Sequence, residues 1–351
     1  MTSIRKPPVA HPSAARNAIG LTQRDYEASM STLCAGCGHD SVTAAIVRAC
    51  FELSIVPHTV AKLSGIGCSS KTPTYFMRGA HGFNSAHGRM PALATGASAA
   101  NHDLTLIGIS GDGDSLSIGL GHMCHAIRRN VRMLYVIENN GVYGLTKGQF
   151  SASTDVGSKS KRGERNPLRP IDPAMLAISL GATFVARSFS GDKEQLVPLL
   201  QAGLKHRGFA LMDVISPCVT FNDHEGSTKS YAHTRRQSLR VLDADFVPPA
   251  EEIVADYAAG STLAVRMHDG GVVRFSKVAA DYDPRDRVTA FTRLSAWQAE
   301  GVVATGLLFI DEDLPDMHET NATVPTPLAQ MAYEDLCPGS ATLAKLMEEY
   351  R

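Results

Sequence analysis

Four short apolar runs, each closed by a glycine, asparagine or serine turn and separated from the next by longer polar-apolar sequence, restrict this chain to one kind of architecture. They are HTVAKLSGIG (58–67), LTLIGISGDGD (104–114), VRMLYVIENNG (131–141) and GFALMDVIS (208–216). Runs that are apolar throughout are strands buried on both faces, and the segments between them are helical in length and pattern. The prediction is an α/β fold, a parallel sheet with helices on both faces and ligands at the carboxyl ends of its strands. The chemically notable residues fall at those ends: 65–69 after the first run, 111–114 after the second, 139–145 after the third, and Pro217 with Cys218 after the fourth.

Two of these ends belong together. GDGDSLSIGLGHMCHAIRRN starts at Gly111 and ENNGVYGLTKGQ at Glu138, which puts 28 positions between Asp112 and Asn140. Gly111 and Gly113 permit a tight turn and the close approach of a diphosphate, and a helix beginning near Ser115 aims its unpaired amides at such an anion. Arg128 and Arg129 suit the negative end of that helix, and Asn130 its left-handed stop. A bound diphosphate needs a hard cation, and magnesium takes about six oxygens, several from phosphate and water. Asp112 offers a carboxylate oxygen, Asn140 an amide oxygen, and a turn at Gly141 can direct the Val142 carbonyl at the same ion, while Asn139 faces elsewhere. A lone GDG is also an ordinary strand turn; the second motif at this distance is what favours the metal site.

Seven cysteines, an odd number, suit metal ligands or core residues in a reducing compartment better than disulfides. Cys34 and Cys37 form a C-x2-C, Cys68 follows in SGIGCSSK and Cys218 in SPCVTFND. Four thiolates commonly hold a [4Fe-4S] cluster, neighbouring sulfurs binding different irons of one cube. A zinc knuckle or a redox dithiol also uses C-x2-C, but a zinc ribbon wants a second such pair, which this sequence lacks. Cys50 and Cys124 are assigned to the core and Cys337 to the C-terminal segment.

Taken in order, CxxCGH, GIGCSSK, NSAHGRMPALATG, GDGDSLSIG, RRNV, YGLTKGQ and PCVTFND resemble the beta subunit of 2-oxoacid:ferredoxin oxidoreductases over residues 34 to about 235. The resemblance implies a thiamine-diphosphate-binding fold. By the same likeness Asp112, Asn140 and Val142 hold Mg2+, and Cys34, Cys37, Cys68 and Cys218 hold a [4Fe-4S] cluster. Ile66, Gly67, Cys68, Ser69, His87, Gly88, Gly111, Gly113, Asp114, Gly144 and Leu145 then line the cofactor pocket. The activity implied is coenzyme A-dependent oxidative decarboxylation of a 2-oxoacid, or the reverse carboxylation, with electrons passing to ferredoxin. The cofactor's product is a two-electron reductant and a cluster accepts one electron at a time, which accounts for both motifs in one chain.

Thiamine enzymes also need a glutamate against the aminopyrimidine, carried in this superfamily by a separate domain that is not evident here. The resemblance therefore implies an alpha subunit that supplies it, in an alpha-beta or (alpha-beta)2 assembly, and a chain inactive by itself. YGLTKGQ and FNDHEGSTKSY are similar to the 2-oxoglutarate subgroup. Lys147 is the candidate cation for a second substrate carboxylate, and His87 is a candidate catalytic residue beside Arg89; Lys71 and Lys147 are otherwise ordinary surface lysines. Pyruvate or another 2-oxoacid is the alternative substrate, and a non-catalytic zinc-binding scaffold a remote one.

Residues 1–25 read as a flexible arm, 26–235 as the unit carrying both cofactor motifs, and 236–351 as a C-terminal α+β extension. The extension contains a hairpin around Asp269, Gly270 and Gly271, a strand in GLLFIDED, and a terminal helix with Ser340 as its cap. Between them, residues 151–172 form a long basic loop with Lys159, Lys161, Arg162, Arg165 and Arg169, suited to coenzyme A phosphates or to a partner chain. With 34 basic against 35 acidic residues and 6% aromatics, nothing marks a nucleic-acid partner. No apolar run reaches membrane-span length and the N-terminus shows no secretory signal, so a cytoplasmic protein is expected.

Overall fold

The computed structural model describes residues 11–224, 226–242, 262–266, 272–276, 282–337 and 339–350. Its strands are β1 (Val60–Ser64), β2 (His81–Asn84), β3 (Thr105–Gly111), β4 (Met133–Asn139), β5 (Val142–Tyr143), β6 (Gln149–Phe150), β7 (Phe184–Phe189), β8 (Phe209–Ile215), β9 (Ser238–Leu242), β10 (Thr262–Arg266), β11 (Val272–Ser276) and β12 (Val303–Ile310). The main helices are α1 (Gly38–Glu52), α2 (Met90–Ala100), α3 (Leu120–Arg128), α4 (Pro173–Leu180), α5 (Lys193–Lys205), α6 (Tyr231–Gln237) and α7 (Arg287–Ala299), followed by α8 (Met317–Asn321), α9 (Tyr333–Leu336) and α10 (Ser340–Glu348). Eight strands form one sheet in the order β2-β1-β3-β4-β8-β7-β12-β9, and every neighbouring pair is parallel except β7 with β12.

The four strands read from the apolar runs are β1, β3, β4 and β8, and β4 and β8 are buried along their whole length. Their alternate residues enter two different cores. Met133, Tyr135 and Ile137 of β4 pack with residues of α2, α3, α4 and α7, whereas Leu134 and Val136 pack with those of α1 and α5. Helices therefore cover both faces, and each fully buried Leu, Ile or Phe contributes about 1.5–3 kcal/mol through removal from water.

Several elements escaped the sequence reading. β2 is exposed and only four residues long, β7 carries Arg187 in mid-strand, and β9 ends the same sheet beside β12, the strand expected in GLLFIDED, so the segment after residue 236 adds to the main sheet. The hairpin appears as antiparallel β10 and β11; its turn residues Asp269, Gly270 and Gly271 lie outside the described residues. Ser340 is the first residue of α10 and the cap is Gly339, which corrects the expected cap. From Arg16 the arm is tied down, because Asn17 Nδ2 donates to Tyr26 Oη (2.9 Å) and to the Phe51 carbonyl (3.1 Å). Cys50 is buried in α1, but Cys124 on α3 is only half-buried and belongs to neither core, which corrects its assignment to the core.

Candidate active site

The carboxyl ends of β1, β3, β4 and β8 converge, and each delivers residues to one region. Directly after β3 the chain passes through Asp112 into a π-helical turn (Gly113–Ile118) and then α3, so the helical amides begin two residues earlier than the sequence pattern placed them. Such a start leaves unpaired N–H groups at the strand ends, a feature suited to a diphosphate. At the far end Asn130 is left-handed (φ 49°), as read from the sequence. Gly113 is required by its neighbour: a Cβ there would lie 2.4 Å from the Tyr143 ring, whose hydroxyl donates to the Gly113 carbonyl (2.9 Å). A Cβ on Gly111 would lie 3.0 Å from Ser69 Oγ.

Asp112 is buried, with Ser151 and Ser153 both donating to Oδ2, the latter at 2.6 Å, while Oδ1 makes only a 3.4 Å contact with the Asn140 amide. Burial raises the Asp112 pKa and the hydrogen bonds from Ser151, Ser153 and Asn140 oppose that rise. Oδ1 is thus the oxygen left with lone pairs for a cation. Asn140 turns its Oδ1 to the Val142 amide (3.1 Å) and its Nδ2 to His39 Nε2 (3.4 Å); Gly141 between them is left-handed (φ 67°), the turn anticipated from the sequence. One carboxylate, one amide and the Val142 carbonyl fit the oxygen-rich demand of magnesium in number and type.

Asp114 is committed elsewhere, its Oδ1 accepting from the Gly88 amide (2.7 Å) and its Oδ2 from Ser110 Oγ (2.9 Å). Gly88 is left-handed (φ 68°) and a Cβ would lie 2.7 Å from the Gly119 amide, so this turn is seated against the helix start. His87 and Arg89 flank it and are exposed on the rim. Ile66, Gly67 and Cys68 are half-buried and Ser69 is buried at the end of β1.

The four cysteines singled out by spacing come together. Cys34, Cys37, Cys68 and Cys218 line one cavity of about 240 Å3, whose walls include His39, Asn140, Gly144, Leu145 and Phe221. A Cβ on Gly144 would stand 3.4 Å from Cys68 Sγ and 3.5 Å from Cys218 Sγ. Among the described residues no three His, Cys, Asp or Glu side chains are arranged to hold one metal ion. Four thiols around one cavity suit a cube, where each thiolate would take a different iron. Burial pushes the Cys37 thiol up to about 12, and a bound metal would favour its thiolate. Lys71, Leu145 and Lys147 sit at the same cavity, and Lys147 is exposed with a left-handed backbone (φ 82°).

Sequence reasoning missed the buried polar residues behind these sites. His39 Nδ1 lies 2.6 Å from Ser216 Oγ and 3.7 Å from Glu138 Oε2, and burial lowers its pKa to about 4, so the ring is neutral. Glu138 accepts from Thr72 Oγ1 at 3.0 Å, and burial raises its pKa well above the usual carboxylate range. The histidine of CxxCGH was in view as part of a motif, with nothing local to show its partners.

Residues 65–214 match the family model described as "Thiamine pyrophosphate enzyme, C-terminal TPP binding domain". The 2-oxoacid:ferredoxin oxidoreductase beta subunit of a Sulfolobus species is 45% identical over 210 residues, 60% of this chain and 68% of that one. This chain belongs to the 2-oxoacid:ferredoxin oxidoreductase beta-subunit family. Its mycobacterial relative, the 2-oxoglutarate oxidoreductase subunit KorB of Mycobacterium tuberculosis, is 42% identical over 191 residues, 54% of this chain and 51% of the relative. In three dimensions the beta subunit superposes on a 2-oxoglutarate:ferredoxin oxidoreductase from Magnetococcus marinus solved with 2-oxoglutarate, coenzyme A and succinyl-CoA bound. The TM-score is 0.71 at 29% identity, covering 92% of this chain and 97% of that one. The beta subunit is thus part of a thiamine-diphosphate oxidoreductase that works with an alpha subunit.

Proposed function

We propose that this beta subunit and its alpha partner oxidatively decarboxylate 2-oxoglutarate to succinyl-CoA, or run the reverse carboxylation, passing electrons singly through a [4Fe-4S] cluster to ferredoxin in the cytoplasm. The observation that carries this reading is that Asn140, a candidate magnesium ligand, lines the same cavity as the four cysteines. When bound, thiamine diphosphate supplies the nucleophile and electron sink for 2-keto chemistry and the cluster supplies one-electron steps. The chain's own part is positional. Asp112, Asn140 and the Val142 carbonyl hold Mg2+ and through it the diphosphate, and Cys34, Cys37, Cys68 and Cys218 hold the cluster. Neutral His39 keeps the Asn140 amide nitrogen turned away from the ion, and Leu145, Val219 and Phe221 limit water at the sulfurs. His87 is placed on the cofactor rim, and Lys147 is proposed to meet a second substrate carboxylate.

Names of relatives at 42% and 37% identity, from Mycobacterium tuberculosis and Methanocaldococcus jannaschii, specify 2-oxoglutarate and support that substrate. The broader "2-oxoacid" name of the Sulfolobus relative favours a second reading, a wider substrate range including pyruvate. No helix among the described residues is long and apolar enough to cross a membrane. The test is a 2-oxoacid panel on the reconstituted complex, with iron, sulfide, zinc and thiamine assays. The proposal expects about four irons per beta chain and preference for 2-oxoglutarate; zinc without iron or labile sulfide overturns it, and Lys147→Ala losing equally on pyruvate removes the role given to that lysine.

A further inference from the structure

Residues 151–172, the basic loop, are fastened at both ends to one hydrogen-bonded chain that leads to Asp112. At the start of the loop Ser153 Oγ lies 2.6 Å from Asp112 Oδ2 and 2.9 Å from Asn139 Oδ1, one proton facing two acceptors. Asn139 Nδ2 donates to Asp213 Oδ1 (3.0 Å), and Asp213 Oδ2 accepts from Arg187 Nε (2.7 Å). Arg187 Nη2 donates to Asp172 Oδ1 (2.5 Å), and Asp172 closes the loop by capping α4, accepting from the Ala174 and Met175 amides. Asn139, Ser153, Arg187 and Asp213 are all buried, so the contacts among them and with Asp112 compete little with bulk water.

The chain has a direction imposed by chemistry. Asp213 and Asp172 are held by the Arg187 guanidinium, so the Asp213 carboxylate accepts and the Asn139 side chain must present its NH2 to it. That fixes Asn139 Oδ1 toward Ser153 and locates the hydroxyl between Asn139 and Asp112. On its other side the chain borders a cavity of about 250 Å3 bounded by Asn139, Asp172, Arg187, Asp213, Lys229 and Trp297, so hydrogen bonds rather than close packing set its geometry there.

We propose that Ser153 and Asn139 are positioning residues for the magnesium ion, holding Asp112 Oδ2 so that Oδ1 faces the metal, with the Asp213–Arg187–Asp172 ion triad locking the pair. The inference rests on the reading of Asp112 as a magnesium ligand. Outer hydrogen-bond partners of metal ligands commonly alter metal affinity by about 10–100-fold, and this chain supplies such partners from a loop that carries no ligand itself.

The test uses the assembled alpha-beta complex, stripped of divalent ions with a chelator and titrated calorimetrically with Mg2+ at fixed thiamine diphosphate. Ser153→Ala is expected to weaken Mg2+ binding about tenfold. Asn139→Asp, which sets a carboxylate against Asp213, is expected to do the same, and adding Asp213→Asn is expected to restore Mg2+ affinity, because the new amide at position 213 donates to the carboxylate at position 139, whose second oxygen still accepts from Ser153. Should Ser153→Ala fail to assemble, this swap decides. Wild-type Mg2+ affinity in Ser153→Ala and Asn139→Asp, with only a lower melting temperature, overturns the positioning role. Wild-type Mg2+ affinity in Asp112→Ala overturns the metal assignment beneath it, a separate outcome.

Discussion

Gly144 shows how closely one residue can set the environment of the sulfurs. Its missing side chain leaves the space that a methyl would take, 3.4 Å from Cys68 Sγ and 3.5 Å from Cys218 Sγ, and its backbone φ is not in the left-handed region. Gly144→Ala is therefore expected to keep the fold within about 1 kcal/mol, but to lower iron and sulfide content and bleach the visible cluster absorption. Full iron loading in that variant would count against a cluster in this cavity. Asp112, Asn140 and the four cysteines stood out as candidates because each belongs to a spaced motif whose chemistry needs that residue type. His39 and Glu138 did not, since Ser216 is 177 positions from His39 and Thr72 is 66 from Glu138. Ser151 and Ser153 were invisible for the same reason, 39 and 41 positions from Asp112.

At the scale of elements, strands buried on both faces announced themselves by unbroken apolar runs, whereas β7 was hidden by Arg187. A charge in mid-strand argues against burial until its partners are known, and Asp172 and Asp213 come from a helix cap and a neighbouring strand. The join between α5 and the β7 edge yields a pH prediction. His206, just past α5, shares a hydrogen bond with Thr183 Oγ1 (2.8 Å) and stacks 5.6 Å from Phe184. Burial lowers its pKa to about 4 against a partial opposing effect of Asp311. A histidine depressed in the folded state is protonated preferentially on unfolding, so its contribution is intact above about pH 6.5 and is lost as pH falls toward about 4. His206→Gln should retain the contact and remove about 1 kcal/mol, allowing for partial exposure, from the stability lost between about pH 7 and about pH 4.5. Denaturant midpoints of the two proteins across that range check it, and parallel pH curves would refute it.

For the molecule as a whole, the diphosphate half of a thiamine site stands at strand ends whose rim exposes Phe83, Ile118, Leu145 and Val219. Leu145 and Val219 line the cysteine cavity itself, and exposed apolar side chains beside such a site suit coverage by another chain. The beta subunit alone is expected to show no coenzyme A-dependent oxidation of any 2-oxoacid, and addition of the alpha subunit to restore it; robust turnover by the lone chain would defeat the expectation of a shared site.

The amino-acid sequence by itself determined β1, β3, β4 and β8, because strands that lose water on both faces must be apolar throughout, and it singled out the candidate ligands, because diphosphate, magnesium and iron each demand particular donor atoms. Only the tertiary structure decided what holds those donors in place. Hydrogen bonds and ion pairs act over a few ångströms of space, irrespective of distance along the chain, so the partners of His39, Glu138, Asp112 and Arg187 became identifiable only when the sheet had brought its strand ends together.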